Sequence, residues 1–310
     1  MATTISSQDL AIVIVSFNVR ELLRQCLASV ATAAAGLRHD VYVVDCGSLD
    51  QTAEMVRAEF PSVKLRQTAN VGFSRGNNVA LREILAAAPE VGLPRYVLLL
   101  NPDTVVPPIA LTAMVAFLDE RPAAGVAGPK LLLRDGSLDL ACRRSFPTPA
   151  VSFWHFVGLA RLFPHSPRFA RYNLTFLNPN AVAEVDSVVG AFMLVRGSLL
   201  QSIGLLDEAF FMYGEDLDWA LRIKQAGWKV LYNGEVTVYH LKRASSRQRN
   251  TRSVIAFYEA MLIFFRKHYA PRTIWPVRLL VILAIYLRAL LALAISVARP
   301  RGLARSVVSH

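Results

Sequence analysis

Apolar residues recur along the first hundred positions in two alternating rhythms. Residues 11–17 form a short, nearly unbroken apolar run that stops at Asn18, which predicts a strand buried on both faces. Leu23, Leu27 and Val30 then return at helical spacing. The alternation repeats with a strand over 41–45, a helix carrying Leu49, Ala53, Val56 and Phe60 on one face, and a strand over 63–67. A helix over 74–88 and a fourth apolar strand over 96–100 complete it. This spacing predicts βαβ units, and so an α/β fold with a mainly parallel central sheet flanked by helices. In such sheets ligands sit beyond the C-terminal strand ends, which points to Phe17-Asn18, Asp45, Asn70 and Asp103.

The rhythm fails over 134–180, a stretch rich in Pro, Phe and Arg; a long irregular segment of this kind predicts a functional loop or lid. Regular structure is expected again as a strand over 188–195, a helix ending at Gln225 and a strand pair over 228–231 and 236–240. Residues 252–268 read as an amphipathic helix with Ile255, Tyr258, Met261, Leu262 and Phe265 on one face. Residues 277–298 are apolar and long enough for a bilayer core, which takes about 20 residues. Arg288 lies at their middle and Arg278 and Arg299 flank them, so the segment can span a membrane, lie in its interface or pack within an oligomer. The expected division is a catalytic region over 1–250, nucleotide-binding over 1–130 and acceptor-binding and catalytic over 131–250. A C-terminal helical region over 251–310 follows, for membrane association or oligomerisation.

Charge sharpens that division. The 310 residues carry a formal +11, of which residues 241–310 hold 13 Lys or Arg against the single acid Glu259. That tail is +12, which leaves residues 1–240 at −1. A basic, apolar end favours an anionic membrane surface over nucleic acid, for which no motif is present. Cys26, Cys46 and Cys142 show no paired or metal-type spacing, and 11–17 is too short for a signal-peptide core, so a reducing cytoplasmic setting is expected.

Candidate chemistry begins with Glu215-Asp216-Leu217-Asp218, three carboxylates in four residues beside the aromatic run Phe211-Met212-Tyr213. Crowded acids beside apolar bulk repel and lose hydration, so at least one pKa should rise toward the range of a general base. The same acids would also suit a helix N-terminus. Asp218 and Arg222, four apart, read as an ion pair. Asp103, in Leu100-Asn101-Pro102-Asp103-Thr104, can hold Mg²⁺ or Mn²⁺ at a sheet edge; the tripeptide alone also reads as an Asn-Pro turn. Asp45 can accept hydrogen bonds from a base or ribose, while Ser48 reads as a helix N-cap. The run from Asn70 through Gly72, Arg75 and Asn78 offers phosphate or sugar contacts before a helix. His240, a possible metal ligand, precedes Lys242 and Arg243, whose cations can neutralise a leaving diphosphate.

In order and spacing these motifs resemble the inverting family 2 glycosyltransferases of GT-A (Rossmann-like) fold, in their rhamnosyltransferase-like branch. The likeness covers about residues 10–267 and rests on Val15-Ser16-Phe17-Asn18, Val44-Asp45-Cys46-Gly47-Ser48, Asn70-Val71-Gly72-Phe73 and Asn101-Pro102-Asp103. It continues through Val189-Gly190-Ala191-Phe192, the acidic motif, Gln225-Ala226-Gly227-Trp228 and His240. It implies Asp216 as catalytic base with Glu215 in support, and donor contacts from Ser16, Asn18, Asp45, Asn70, Gly72, Arg75, Asn78 and Asn101. It further implies Asp103 and His240 as ligands of Mg²⁺ or Mn²⁺, and Asp218, Lys242 and Arg243 on the acceptor or diphosphate. The implied partners are a dTDP- or UDP-linked sugar and a glycan or polyprenyl-diphosphate-linked acceptor. The implied setting is the cytoplasmic face of a bacterial inner membrane or a peripheral cytoplasmic one, with a homo-oligomer possible. Asn101 departs from the family by standing where many relatives carry Asp. A sugar nucleotidyltransferase would need a Gly-rich, basic loop where Phe17-Asn18-Val19-Arg20 stands; a catalytically silent nucleotide-sugar-binding scaffold at the membrane would need Asp45 and Asp103 but not Asp216.

Overall fold

In the computed structural model, which describes residues 8–242 and 251–298, the first apolar run becomes β1 (Leu10–Ser16), buried at every position. There follow α1 (Arg20–Ala33), β2 (His39–Asp45), α2 (Thr52–Glu59), β3 (Lys64–Gln67), α3 (Phe73–Val91), β4 (Tyr96–Leu100), β5 (Thr104–Val105), α4 (Ala110–Asp119) and β6 (Ala124–Leu132). The middle of the chain holds the short helices α5 (Pro149–Phe156) and α6 (Leu159–Leu162), then β7 (Val182–Val185), β8 (Phe192–Arg196), α7 (Leu199–Ser202), α8 (Glu215–Gln225) and β9 (Lys229–His240). Two long helices close it, α9 (Thr251–His268) and α10 (Trp275–Ala298).

One sheet runs in the order β3-β2-β1-β4-β8-β6-β9-β5, with β7 also on β9. Its first four strands are parallel, and their register sets Ser16, Asp45 and Gln67 side by side, with Leu100 beside Ile14. The loops after these strands therefore open on one edge. Beyond β4 the sheet is mixed, since β8 runs antiparallel to both β4 and β6. The expected strand pair over 228–240 is a single strand, β9, parallel to β6 with residues 234–236 bulged out between Asn233 and Thr237. A Cβ at Gly234 would stand 2.5 Å from the Pro179 carbonyl oxygen, so the bulge needs a residue without one.

Other expectations shift for local reasons. Leu49 is 92% exposed and lies before α2, because the chain reaches its helical start only after Gln51, at φ 63°. The strand expected from 188 begins at Phe192, after a turn at Val189–Phe192. The chain divides into two compact units, Met1–Arg243 and Ala244–His310. In the second, α9 packs against α10, and its buried stripe runs through Val254, Ala260, Leu262 and Phe264 while Ile255 is exposed. Over Trp275–Ser296 α10 is long and apolar enough to cross a membrane, with 6% of that window buried.

Candidate active site

The edge expected to bind the donor is built at the ends of β1 and β2. Asn18 adopts φ 52°, a left-handed conformation that Asn tolerates better than most residues. Its backbone N–H donates to Ser48 Oγ at 2.8 Å and its side-chain oxygen accepts from Leu49 N–H at 2.8 Å. Ser48 in turn donates to Asp45 Oδ1. Ser48 is thus a bridge between two strand ends and not a helix N-cap. Asp45 is fully buried, and its Oδ2 has no hydrogen-bond partner; neither has the buried Ser16 Oγ. Buried polar atoms normally find partners, which sets these two apart from the rest of the strand ends.

The next loop turns on Asn70, whose Oδ1 accepts from Gly72 N–H at 3.3 Å. Gly72, at φ 84°, lies against the acidic motif's leading aromatic: a Cβ there would stand 2.4 Å from the Phe211 carbonyl oxygen, which Phe73 N–H already binds at 2.7 Å. Two of the expected donor residues have other duties. Asn78 is buried with both ends of its amide spent, donating to the Leu206 carbonyl and Glu208 at 2.9 Å each and accepting from Leu206 N–H. These bonds spend both amide hydrogens and one oxygen lone pair on the protein. Arg75, exposed, leans on Glu208 at 3.5 Å.

Strand pairing assembles the next group. β5 pairs with the end of β9, Thr104 against His240, which carries Asp103 to His240 across 137 positions of sequence. Asp103 Oδ1 lies 3.2 Å from His240 Nε2, and the Asn101 amide lies 3.4 Å from the same nitrogen. The other ring nitrogen, Nδ1, binds Asp139 Oδ2 at 2.9 Å. Asp139 also accepts from Lys242 Nζ at 2.9 Å. Burial would raise the Asp139 pKa, but His240 and Lys242 overcome this and hold its carboxyl well below the usual range. Burial alone would lower His240, and its two carboxylates push it the other way, for a net rise. Arg243 lies outside the described residues. Among the described residues no three His, Cys, Asp or Glu side chains converge as a metal cluster. The pair still fits a divalent cation, because a carboxylate on Nδ1 orients Nε2 toward a metal and leaves coordination positions for phosphate oxygens.

The acidic motif opens α8. Tyr213 at φ 73° and Gly214 at φ 81° turn the chain sharply, so that the helix starts at Glu215 with three acids in its first turn. They are not alike. Asp216 Oδ2 accepts from Arg144 Nη2 at 2.7 Å and from Gly190 N–H at 3.0 Å. Glu215 is buried, its Oε2 has no partner, and burial together with the Asp216 charge pushes its pKa up to about 8. Asp218, fully buried, binds Arg222 Nε at 2.9 Å, and Arg222 ties down the Ile203 and Leu205 carbonyls. The ion pair expected of Asp218 and Arg222 is there, and it holds Asp218 buried in the core.

Two site residues escaped sequence reasoning. Asp139 and Arg144 both come from the irregular segment after β6, where no periodicity marks them. Arg144 is buried, and Asp216 more than offsets the cost of burying it, holding the guanidinium above its ordinary value. The doublet Arg143-Arg144 in a segment without acids was the available signal, since a buried Arg needs a carboxylate from elsewhere. One loop then unites the groups: Gly190 N–H binds Asp216, and the next residue, Ala191, accepts through its carbonyl from Asn101 N–H at 3.0 Å.

A family model described as "Glycosyltransferase like family 2" matches residues 7–255. The chain belongs to glycosyltransferase-like family 2. Among its relatives, the N-acetylglucosaminyl-diphospho-decaprenol L-rhamnosyltransferase of Mycobacterium tuberculosis is 29% identical over 259 residues, 82% of this chain and 83% of that protein. Rhamnosyltransferase WbbL of Escherichia coli K12 is 30% identical over 169 residues, 52% of this chain and 57% of that protein. In fold the chain is similar to Staphylococcus aureus TarS 1-349 in complex with UDP-GlcNAc (TM-score 0.54, 18% identity, covering 83% of this chain and 65% of that one). It is also similar to GalNAc-T7 with UDP, GalNAc and Mn²⁺ (TM-score 0.56, 14% identity, 84% and 48%). The GT-A architecture expected from the motifs is thus the architecture found, and this family member is a glycosyltransferase.

Proposed function

We propose that this glycosyltransferase moves a sugar, rhamnose by preference, from a dTDP- or UDP-linked donor to a hydroxyl of a polyprenyl-diphosphate-linked glycan in cell-envelope polysaccharide synthesis. The M. tuberculosis relative, matched over most of both chains, carries such a substrate in its name. The observation that carries the mechanism is the loop of Gly190 and Ala191, which joins the carboxylate of Asp216 to the Asn101–Asp103 turn.

Asp45 and Ser16 receive the nucleoside with their unpartnered oxygens. Asp216 accepts the proton of the acceptor hydroxyl as that oxygen attacks the anomeric carbon opposite the leaving diphosphate, and configuration inverts. Arg144 and Gly190 N–H fix the carboxylate's orientation. Glu215, protonated at neutral pH, spares the site a second buried negative charge. Asp103 and His240 would hold Mg²⁺ or Mn²⁺, which supplies positive charge to the departing diphosphate when bound. Lys242, half-exposed beside Asp139, adds a cation on the same side. In the second unit α10 serves as the membrane-associating element, through its length and exposed leucines.

The test pairs calorimetry with transfer assays. Titration of nucleotide sugars with Mg²⁺ or Mn²⁺ should single out one donor, and Asp216→Asn should abolish transfer while that donor still binds. Near-wild-type transfer by Asp216→Asn would remove Asp216 from the mechanism. Binding without turnover by the wild type on any acceptor would favour a scaffold instead.

A further inference from the structure

Residues 140–183 contain five arginines and no acid. Two of the five turn inward: Arg144 to Asp216, and Arg143 to the carbonyls of Leu177 and Asn178 at 2.8 Å. Arg161, Arg168 and Arg171 stay exposed, and none of them pairs with a carboxylate among the described residues. Between them lies an apolar ridge. Phe153 is 54% exposed and Leu162 68%, with Val157 and Phe163 about half exposed.

The ridge is continuous. Phe153 meets Trp154 edge-on at 4.9 Å between ring centroids, Trp154 meets Phe169 at 5.2 Å, and Phe169 meets Phe163 at 5.6 Å. The Arg168 guanidinium lies over this row, 5.4 Å from Trp154 and 5.6 Å from Phe169. Aromatic rings with an arginine on their polar side form the arrangement that suits a bilayer interface, apolar bodies entering the acyl boundary and cations staying with the headgroups. A soluble face would dilute such a ridge with acids; here none occurs in 44 consecutive residues.

We infer that α5, α6 and the residues through Arg171 form a second membrane contact, on the catalytic unit itself, whose occupant is an anionic phospholipid surface. The excess of unpaired arginine over acid supplies the charge complementarity. This contact belongs to the first unit, in the segment that delivers Asp139 and Arg144 to the candidate site. It requires no knowledge of the sugar transferred.

The test uses the full chain and a probe that reads the ridge alone. All three native cysteines are buried and burial pushes their thiols up, so a new surface cysteine can be labelled selectively. Leu162→Cys and, as control, the exposed Ile109→Cys at the start of α4 would each carry an environment-sensitive fluorophore. With phosphatidylglycerol–phosphatidylethanolamine vesicles the label at 162 should brighten, shift to the blue and be quenched by brominated acyl chains, while the label at 109 should not change. Arg161→Glu with Arg168→Glu should raise the lipid concentration needed at the 162 label by about thirtyfold or more, with calorimetric donor binding unaltered. If both labels behave alike while the protein still sediments with vesicles, the inference fails. It fails equally if neutral phosphatidylcholine gives the same response, or if the label at 162 shifts without lipid as the protein doubles in mass, which would identify the ridge as a contact between copies. Because donor binding is measured alongside, failure of the membrane contact and failure of the transferase reading give different outcomes.

Discussion

The strand-end group around Asp45, here the proposed donor edge, and the half of the candidate site that carries Asp216, the proposed base side, are assembled in opposite ways. At the donor edge Asp45 and Ser48 are 3 residues apart and Asn18 and Ser48 are 30 apart, each at the end of a strand beside its neighbour in sequence order. On the other side Arg144 reaches Asp216 over 72 residues and His240 reaches Asp139 over 101. The first half is held by backbone register, the second by charged side chains meeting in the interior. Damage should accordingly stay local at the donor edge and spread on the base side.

Four experiments would break or sharpen that contrast. Arg144→Ala leaves Asp216 buried without its cation, and removing one partner of a buried pair costs about 3–5 kcal/mol; denaturant unfolding should show this, along with a collapse of the transfer rate that Arg144→Lys partly restores. Equal stability of Arg144→Ala and wild type would mean the pair holds nothing together.

Glu215 should give stability a distinctive pH dependence. Its carboxyl pKa rises from an ordinary 4.5 to about 8 on folding, so between these values the native state binds the extra proton. Its contribution is complete below pH 4.5 and is lost as pH climbs toward 8, at no more than about 1.4 kcal/mol per pH unit. Glu215→Gln should therefore flatten the fall in Tm between pH 5 and 8.5; an unchanged slope would remove Glu215 as its source.

At the donor edge Gly72→Ala forces a Cβ onto the Phe211 carbonyl and should cost up to about 3 kcal/mol. Because the clash is confined to the loop, nucleotide-sugar affinity should fall while the catalytic-unit fold persists by far-UV circular dichroism. Smallest in effect, Asp139→Asn loosens the hold on His240 Nδ1 and should weaken Mn²⁺ binding 10- to 100-fold by calorimetry, the usual cost of losing a carboxylate behind a ligand imidazole. Unaltered Mn²⁺ affinity would detach Asp139 from the metal site.

The same contrast explains what was legible in the sequence. β1, β2 and β4 announce themselves because strands covered on both faces must be apolar throughout, and Asp45 and Asp103 are conspicuous where those runs stop. β9 is harder: Asn233-Gly234 at the start of its bulge looks like a hairpin turn, and only the resumed pairing of Thr237 with β6 shows that the strand continues. Asn78 looked free to bind ligand because nothing local hints that Leu206, 128 residues on, claims its amide. Asp139 and Arg144 had no visible role for the same reason. A buried charge is explained by its partner, and both partners lie at the far end of the catalytic unit.

The adjacency of Gly190 and Ala191 sets a covalent ruler between Asp216 and the Asn101–Asp103 turn. One trans peptide separates successive Cα atoms by about 3.8 Å, whatever the surrounding packing does. The residue whose N–H holds Asp216 and the residue whose carbonyl holds Asn101 are thus spaced by bond lengths, not by contacts that heat or substitution could loosen. Substitutions in the surrounding walls can then accumulate without altering the span between Asp216 and the Asn101–Asp103 turn.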